Sequence, residues 1–156
     1  MDIAMKVIVL SKTFPAYHTR AGDLTHFADK FASGEKIHTI RANVHGHFED
    51  GEKLSVRQWI DKPYASKQVE IGQIVAGIQR VYMDVALMDF WLCVEGNGTD
   101  WRLVAKNDGL KTTDFLDWFM LPEPDDEGDD DEHAQCESYT GDIIHFTDFR
   151  YGKGTS

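Results

Sequence analysis

An ammonium, a hydroxyl and a guanidinium stand close together in Gly34-Glu35-Lys36-Ile37-His38-Thr39-Ile40-Arg41. From Lys36 to Arg41 the segment alternates with period two, which predicts a short strand. On such a strand Ile37, Thr39 and Arg41 share a face. Lys36 sits at the bend after Gly34, where its long side chain can swing toward that face. Three donors of these kinds around one small volume suit a carbonyl oxygen, a phosphate or the polar edge of a base. The same three residues also serve as ordinary strand residues, with Arg41 paired to a surface carboxylate. A carboxylate follows in the turn Asn107-Asp108-Gly109, where Asp108 is either a reactive group or a plain turn residue before a helix-ending glycine.

A second group combines cations with aromatics: Arg57 and Trp59 in Ser55-Val56-Arg57-Gln58-Trp59, then Tyr64 and Lys67 in the loop that follows. Stacking on an aromatic, steadied by cations, is a common way to hold a single strand. The alternative is a core tryptophan beside a solvated loop. His45 and His47, with His38 nearby, have the look of part of a metal site, but a zinc site needs three or four ligands and no matching cluster follows. No metal and no cofactor are expected. The pair Gly96 and Gly98 lacks the strand-to-helix context of a dinucleotide motif.

The elements that must position these residues read as follows. Residues 5–10 form a β-rich first strand. Asp23 predicts the N-cap of a helix over 24–33, with Leu24, Phe27, Ala28 and Phe31 on one face. Gly34 supplies the left-handed residue that ends it. Strands are expected over 36–41 and 52–60, then two long central ones over 68–83 and 85–94. After a turn cluster at 95–100, Asp100 caps a helix over 101–106, closed by Gly109. Thr112 or Thr113 caps another, whose Asp114 carboxylate lies near the positive helix end. A last strand is expected over 142–151. The order gives an α+β class, with antiparallel strands closing into a small barrel flanked by helices.

In Gly34, Lys36, Thr39 and Arg41 the chain resembles the ASCH family, a branch of the PUA-like β-barrels, which carries a GxKxxTxR signature after its first helix. The later Gly51-Glu52-Lys53-Leu54 and the turn Asn107-Asp108-Gly109-Leu110 before Asp114-Phe115 are similar to further family features in order and spacing. The resemblance implies one mixed or antiparallel PUA-like barrel over 1–121 plus 141–151. Some family members bind RNA; others are amidohydrolases that remove the acyl group of N4-acetylcytidine. Their working Lys and Thr map onto Lys36 and Thr39. Their Glu falls on Asp108, one methylene shorter. In that reading Lys36 is the base, Thr39 the nucleophile or the holder of a water, and Asp108 the proton shuttle.

The net charge of −11 is concentrated in one place: residues 123–137 hold nine carboxylates and neither Lys nor Arg. Outside them 18 acidic residues face 16 basic ones, so the body is nearly neutral. That balance disfavours long duplex nucleic acid, which needs many phosphate contacts, and leaves a nucleoside or short single-stranded RNA as the expected partner. Residues 122–140 read as a disordered acidic loop, with 123–137 a candidate protein-interaction segment, and 152–156 as a frayed tail. Cys93 and Cys136 lack metal or redox spacing. With neither a signal-like start nor an apolar stretch approaching 18 residues, the expected setting is cytoplasmic, away from membranes.

Overall fold

The structure, a computed structural model, describes residues 5–42, 48–60, 66–86, 89–120 and 138–152. Among the described residues, eight strands and three helices make a mixed α+β fold with two sheets. The first sheet has the order β1 (Lys6–Leu10), β3 (Lys53–Trp59), β4 (Gln68–Val75), with β1 parallel to β3 and β4 antiparallel to it. The second runs β2 (His38–Arg41), β8 (Ser138–His145), β5 (Gly77–Ala86), β6 (Asp89–Val94), β7 (Asn97–Thr99), every neighbour antiparallel. Leu54, Val56, Met83, Leu92, Ile143 and Ile144 are fully buried strand residues of one core. Burial of each contributes about 1.5–3 kcal/mol relative to exposure.

Among the described residues the strands form two sheets rather than one closed barrel. Two seams join them. At the first, the chain passes directly from β4 to β5 through buried Ala76. The sequence predicts one strand across this point. The break is a change of partner: Ala76 still bonds to the chain before β3, its N–H donating to the Glu52 carbonyl and its carbonyl accepting from Gly51 N–H, both at 2.7 Å, whereas Gly77 pairs with His145 of β8. At the second seam the Arg41 guanidinium, on the edge strand β2, donates to the Val9 carbonyl on the edge strand β1.

Helix α1 (Phe27–Ser33) starts three residues later than its apolar spacing predicts. Leu24 forms a bridge with Thr13 and stays 48% exposed, and Phe14 N–H donates to the Asp23 carbonyl at 2.9 Å. These long-range bonds hold 23–25 in a loop. Asp23 therefore takes no cap role; the Thr25 hydroxyl, 3.3 Å from Phe27 N, stands nearest to one. The last strand differs too. It begins at Ser138, inside the stretch expected to be loop, and stops at His145. The ten-residue β5 supplies the reason, since its far end pairs Tyr82 with Thr140 and Asp84 with Ser138. Beyond His145 the Phe146 N–H donates to the Ile37 carbonyl at 2.9 Å, and the chain bends away from the ladder.

Helix α2 (Trp101–Asn107) follows the local signals, whereas α3 (Thr112–Met120) takes both threonines into its first turn, its first bond running from Phe115 N–H to the Lys111 carbonyl, so neither is the cap that the sequence predicts. Asp100 caps α2, accepting from Arg102 N–H at 3.1 Å. Val104, Phe115 and Phe119 enter the core. At Gly141 the β8 backbone approaches β2 so closely that a Cβ would lie 2.7 Å from the Arg41 carbonyl oxygen. Gly141→Ala is therefore expected to cost about 1–3 kcal/mol by overpacking. A fall in the urea midpoint with an unchanged slope is the expected result; an unchanged midpoint contradicts this packing.

Candidate functional site

Gly34, at a φ of 83°, turns the chain out of α1. The Glu35 and Lys36 N–H groups both return to the Lys30 carbonyl, at 2.9 and 3.0 Å, and Ile37 N–H donates to the Asn107 carbonyl at 2.8 Å. The corner between α1 and β2 is thus tied to the end of α2. Lys36 is left 2% exposed. Its ammonium donates to the Asp108 carbonyl at 2.8 Å and to Asp108 Oδ1 at 3.2 Å, and it lies 4.0 Å from the centre of the Phe27 ring. Burial pulls its pKa from 10.5 down to about 8, against the opposing pull of Asp108. Gly109 makes this approach possible. Its φ of 81° suits glycine, and a Cβ there would stand 3.2 Å from the Lys36 Cβ.

A cavity of about 110 Å³ opens beside this pair. Its polar lining is Ser11, Lys36, Thr39, Arg41 and Asp108; its aromatic walls are Phe27, Trp118 and Phe119. Trp118 is held in place by its ring contacts with Phe14, His18 and Phe27. The start of α3, which carries that wall, is anchored by Arg20 on the buried Asp114 carboxylate at 2.6 Å. Donors and flat apolar faces around one small cavity match a small heterocycle with a polar edge.

Behind the cavity lies a buried polar chain. Asn107 Nδ2 donates to the Tyr151 hydroxyl at 3.0 Å, and that hydroxyl lies 2.7 Å from His38 Nε2. His38 Nδ1 is 3.2 Å from Asp108 Oδ1. The partners fix the tautomer of a neutral ring: Nδ1–H donates to the carboxylate, and Nε2 accepts from the phenol. Burial favours both neutral forms, pulling His38 down and pushing Tyr151 up. Gln79 extends the chain. Its Oε1 accepts from Tyr151 N–H at 3.0 Å and from His145 Nε2 at 2.9 Å, while its Nε2 donates to the Tyr151 carbonyl at 3.0 Å. His145 Nδ1 is buried and has no hydrogen-bond partner among the described residues.

Of the residues singled out from the sequence, Lys36, Thr39, Arg41 and Asp108 line the same cavity. Arg57 does not; it donates to Ser55 Oγ at 3.1 Å and Gln68 Oε1 at 3.4 Å. Trp59 lines a neighbouring groove with Arg41, and Lys67 is exposed just before β4. Tyr64, His45, His47, Cys136 and the acidic run 123–137 lie outside the described residues. Among the described residues no group of three His, Cys, Asp or Glu side chains can hold a metal ion, and no helix is long and apolar enough to cross a membrane. The sequence places His145 on the last strand as a core or rim histidine, and it is fully buried there; sequence reasoning missed the roles of His38, Gln79 and Tyr151, which no local spacing marks. No family model, curated protein or solved structure matches the chain.

Two pH effects follow. Between about pH 8 and 10.5 the unfolded chain keeps a proton that folded Lys36 has released, so stability rises with pH across that window. Lys36→Met is expected to flatten that rise. Burial, aided by His38 and Arg150, pulls His145 from 6.5 to about 3, so the unfolded chain binds the extra proton and stability falls as pH drops through that range. His145→Asn is expected to blunt that acid loss. Urea midpoints measured from pH 3 to 10.5 check both, and a profile identical to the parent's in either variant contradicts the assignment.

Proposed function

We propose that the chain is an ASCH-type domain whose cavity holds the polar edge of a nucleobase, presented by a nucleoside or a short single-stranded RNA. The observation that carries this reading is the convergence of Lys36, Thr39, Arg41 and Asp108 on one small cavity walled by Phe27, Trp118 and Phe119. A base needs both kinds of surface: its edge takes hydrogen bonds and its faces stack. In this reading the two sheets, joined at Ala76 and at the Arg41–Val9 contact, are an open version of the PUA-like barrel.

A second reading, an amidohydrolase acting on an N4-acylated cytidine, is favoured by one feature: the Lys36–Asp108 contact beside Thr39. A lysine brought down to about 8 has a neutral fraction near neutral pH and can act as a base. Lys36 takes the Thr39 hydroxyl proton as the oxygen adds to the acyl carbon. The C–N bond then breaks, and the proton reaches the leaving amine by way of Asp108. Water afterwards releases the acyl group from Thr39 as the free acid.

A thermal-shift series with the four ribonucleosides tests the binding reading. At a hundredfold excess over Kd, binding stabilises the folded state by about 2.7 kcal/mol. For a chain of this size that is a rise of roughly 5–10 °C. The rise is expected for at least one nucleoside and is expected to vanish in Lys36→Met. No shift with any of the four would remove the claim. For the second reading, N4-acetylcytidine is incubated with the protein and cytidine is sought by chromatography. Turnover is expected to climb with pH through about 8 as Lys36 loses its proton, and to be lost in Thr39→Val. A flat pH profile, or no product above the Lys36→Met background, rejects catalysis while leaving binding intact.

A further inference from the structure

Asp108 has one carboxylate oxygen committed and one to spare. Oδ1 lies 3.2 Å from the Lys36 ammonium and 3.2 Å from His38 Nδ1, and these two contacts stop the carboxylate from turning. Oδ2 has no hydrogen-bond partner among the described residues, in a residue only 3% exposed. An oxygen sealed in the core in that condition is costly. Oδ2 is not sealed: among the described residues the only enclosed side-chain polar atom without a partner is His145 Nδ1. Asp108 lines the cavity of about 110 Å³, and that is where Oδ2 opens. Thr39 is in the same position. It is 6% exposed, it lines the same cavity, and its hydroxyl has no partner among the described residues. Lys36 spends two of its three N–H bonds on Asp108 and lines the cavity as well. A ligand there meets an oxygen that only accepts, a hydroxyl that does either and an ammonium that only donates.

We infer that Asp108 determines the specificity of the site: its Oδ2 accepts an N–H from the edge of a pyrimidine, while Lys36 and Thr39 meet the acceptor beside that N–H. This rests on the nucleobase reading of the cavity. The cavity volume matches one six-membered ring with its substituents, which favours a pyrimidine over a fused two-ring base. In uracil the N–H is that of N3, next to a carbonyl oxygen. In cytosine it belongs to the amino group, next to N3. An edge stripped of its N–H leaves Oδ2 enclosed by the ligand and without a bond. A site built to take such a bond rejects the analogue that lacks it far more strongly than a site that reads shape alone. Because Lys36 and His38 both hold Oδ1, the carboxylate cannot turn to relieve the mismatch.

Affinities are measured by calorimetry on the full chain. Uridine is compared with 3-methyluridine, and cytidine with the pyrimidin-2-one ribonucleoside, which lacks the amino group and adds no bulk. Adenosine and guanosine complete the set. The tighter of uridine and cytidine is expected to lose about tenfold or more in affinity with its N–H, the worth of a hydrogen bond to a charged group. In Asp108→Asn the side-chain oxygen stays toward Lys36 and His38, and an NH₂ donor replaces Oδ2. The penalty for losing the N–H is expected to disappear in that variant. Should the variant fail to fold, the comparison in the parent chain decides alone. Equal affinities with and without the N–H, a penalty that survives in Asp108→Asn, or tightest binding by a purine nucleoside overturns the inference and leaves the nucleobase reading in place. No binding by any of the compounds overturns both.

Discussion

The buried contact between Lys36 and Asp108 is the constraint around which the rest of the site is arranged. A lysine ammonium removed from water loses several kcal/mol of hydration. Here it regains hydrogen bonds from one residue in two ways, through the Asp108 carbonyl and its carboxylate. That arrangement works only where Asp108 stands at the C-terminal end of a helix and the next residue has no side chain. The end of α2 and Gly109 provide both. The carboxylate cannot turn away to another partner, because His38 and, behind it, Tyr151 and Asn107 hold it from the far side. Removing either charge leaves the other stranded in the core.

The geometry of the corner and the polarity of the cavity arise from the same residues. Gly34 ends α1, and the two residues after it bond back to the Lys30 carbonyl. That turn points Lys36 inward while β2 brings Thr39 and Arg41 to the same opening. Arg41 does further work by bonding to Val9, since the two edge strands have no backbone ladder between them. The cation that lines the cavity is thus one that holds the sheets together, which couples the width of the opening to the integrity of the fold.

Much of this was legible in the sequence because the signals are local. A glycine that ends a helix, an aspartate that caps one and a period-two run on a strand are read within a few residues, and Gly34, Asp100 and the Lys36–Arg41 corner are where local signals place them. The misreadings have tertiary causes. Leu24 has helical spacing, but it is claimed by Thr13 across a loop. The early part of β8 has a polar, strand-poor sequence, but the length of β5 recruits it. His38 and Tyr151 are 113 residues apart, and their bond is invisible to any pattern read along the chain. What local reading misses, then, is the rear support of the site, which is built from contacts between distant segments.

That separation has a consequence for synthesis. Tyr151 follows Asp108 by 43 residues. At ordinary elongation speeds this is roughly 2–9 s of translation. Throughout that interval the phenol that completes the row behind Asp108 has not yet been made, and β8, the sheet neighbour of β2, is made only in its last third. The nascent chain therefore passes through a stage in which β2 has no ladder and His38 still lacks Tyr151. At that stage the exposed edge of β5, waiting for β8, is a template for mispairing with another nascent chain.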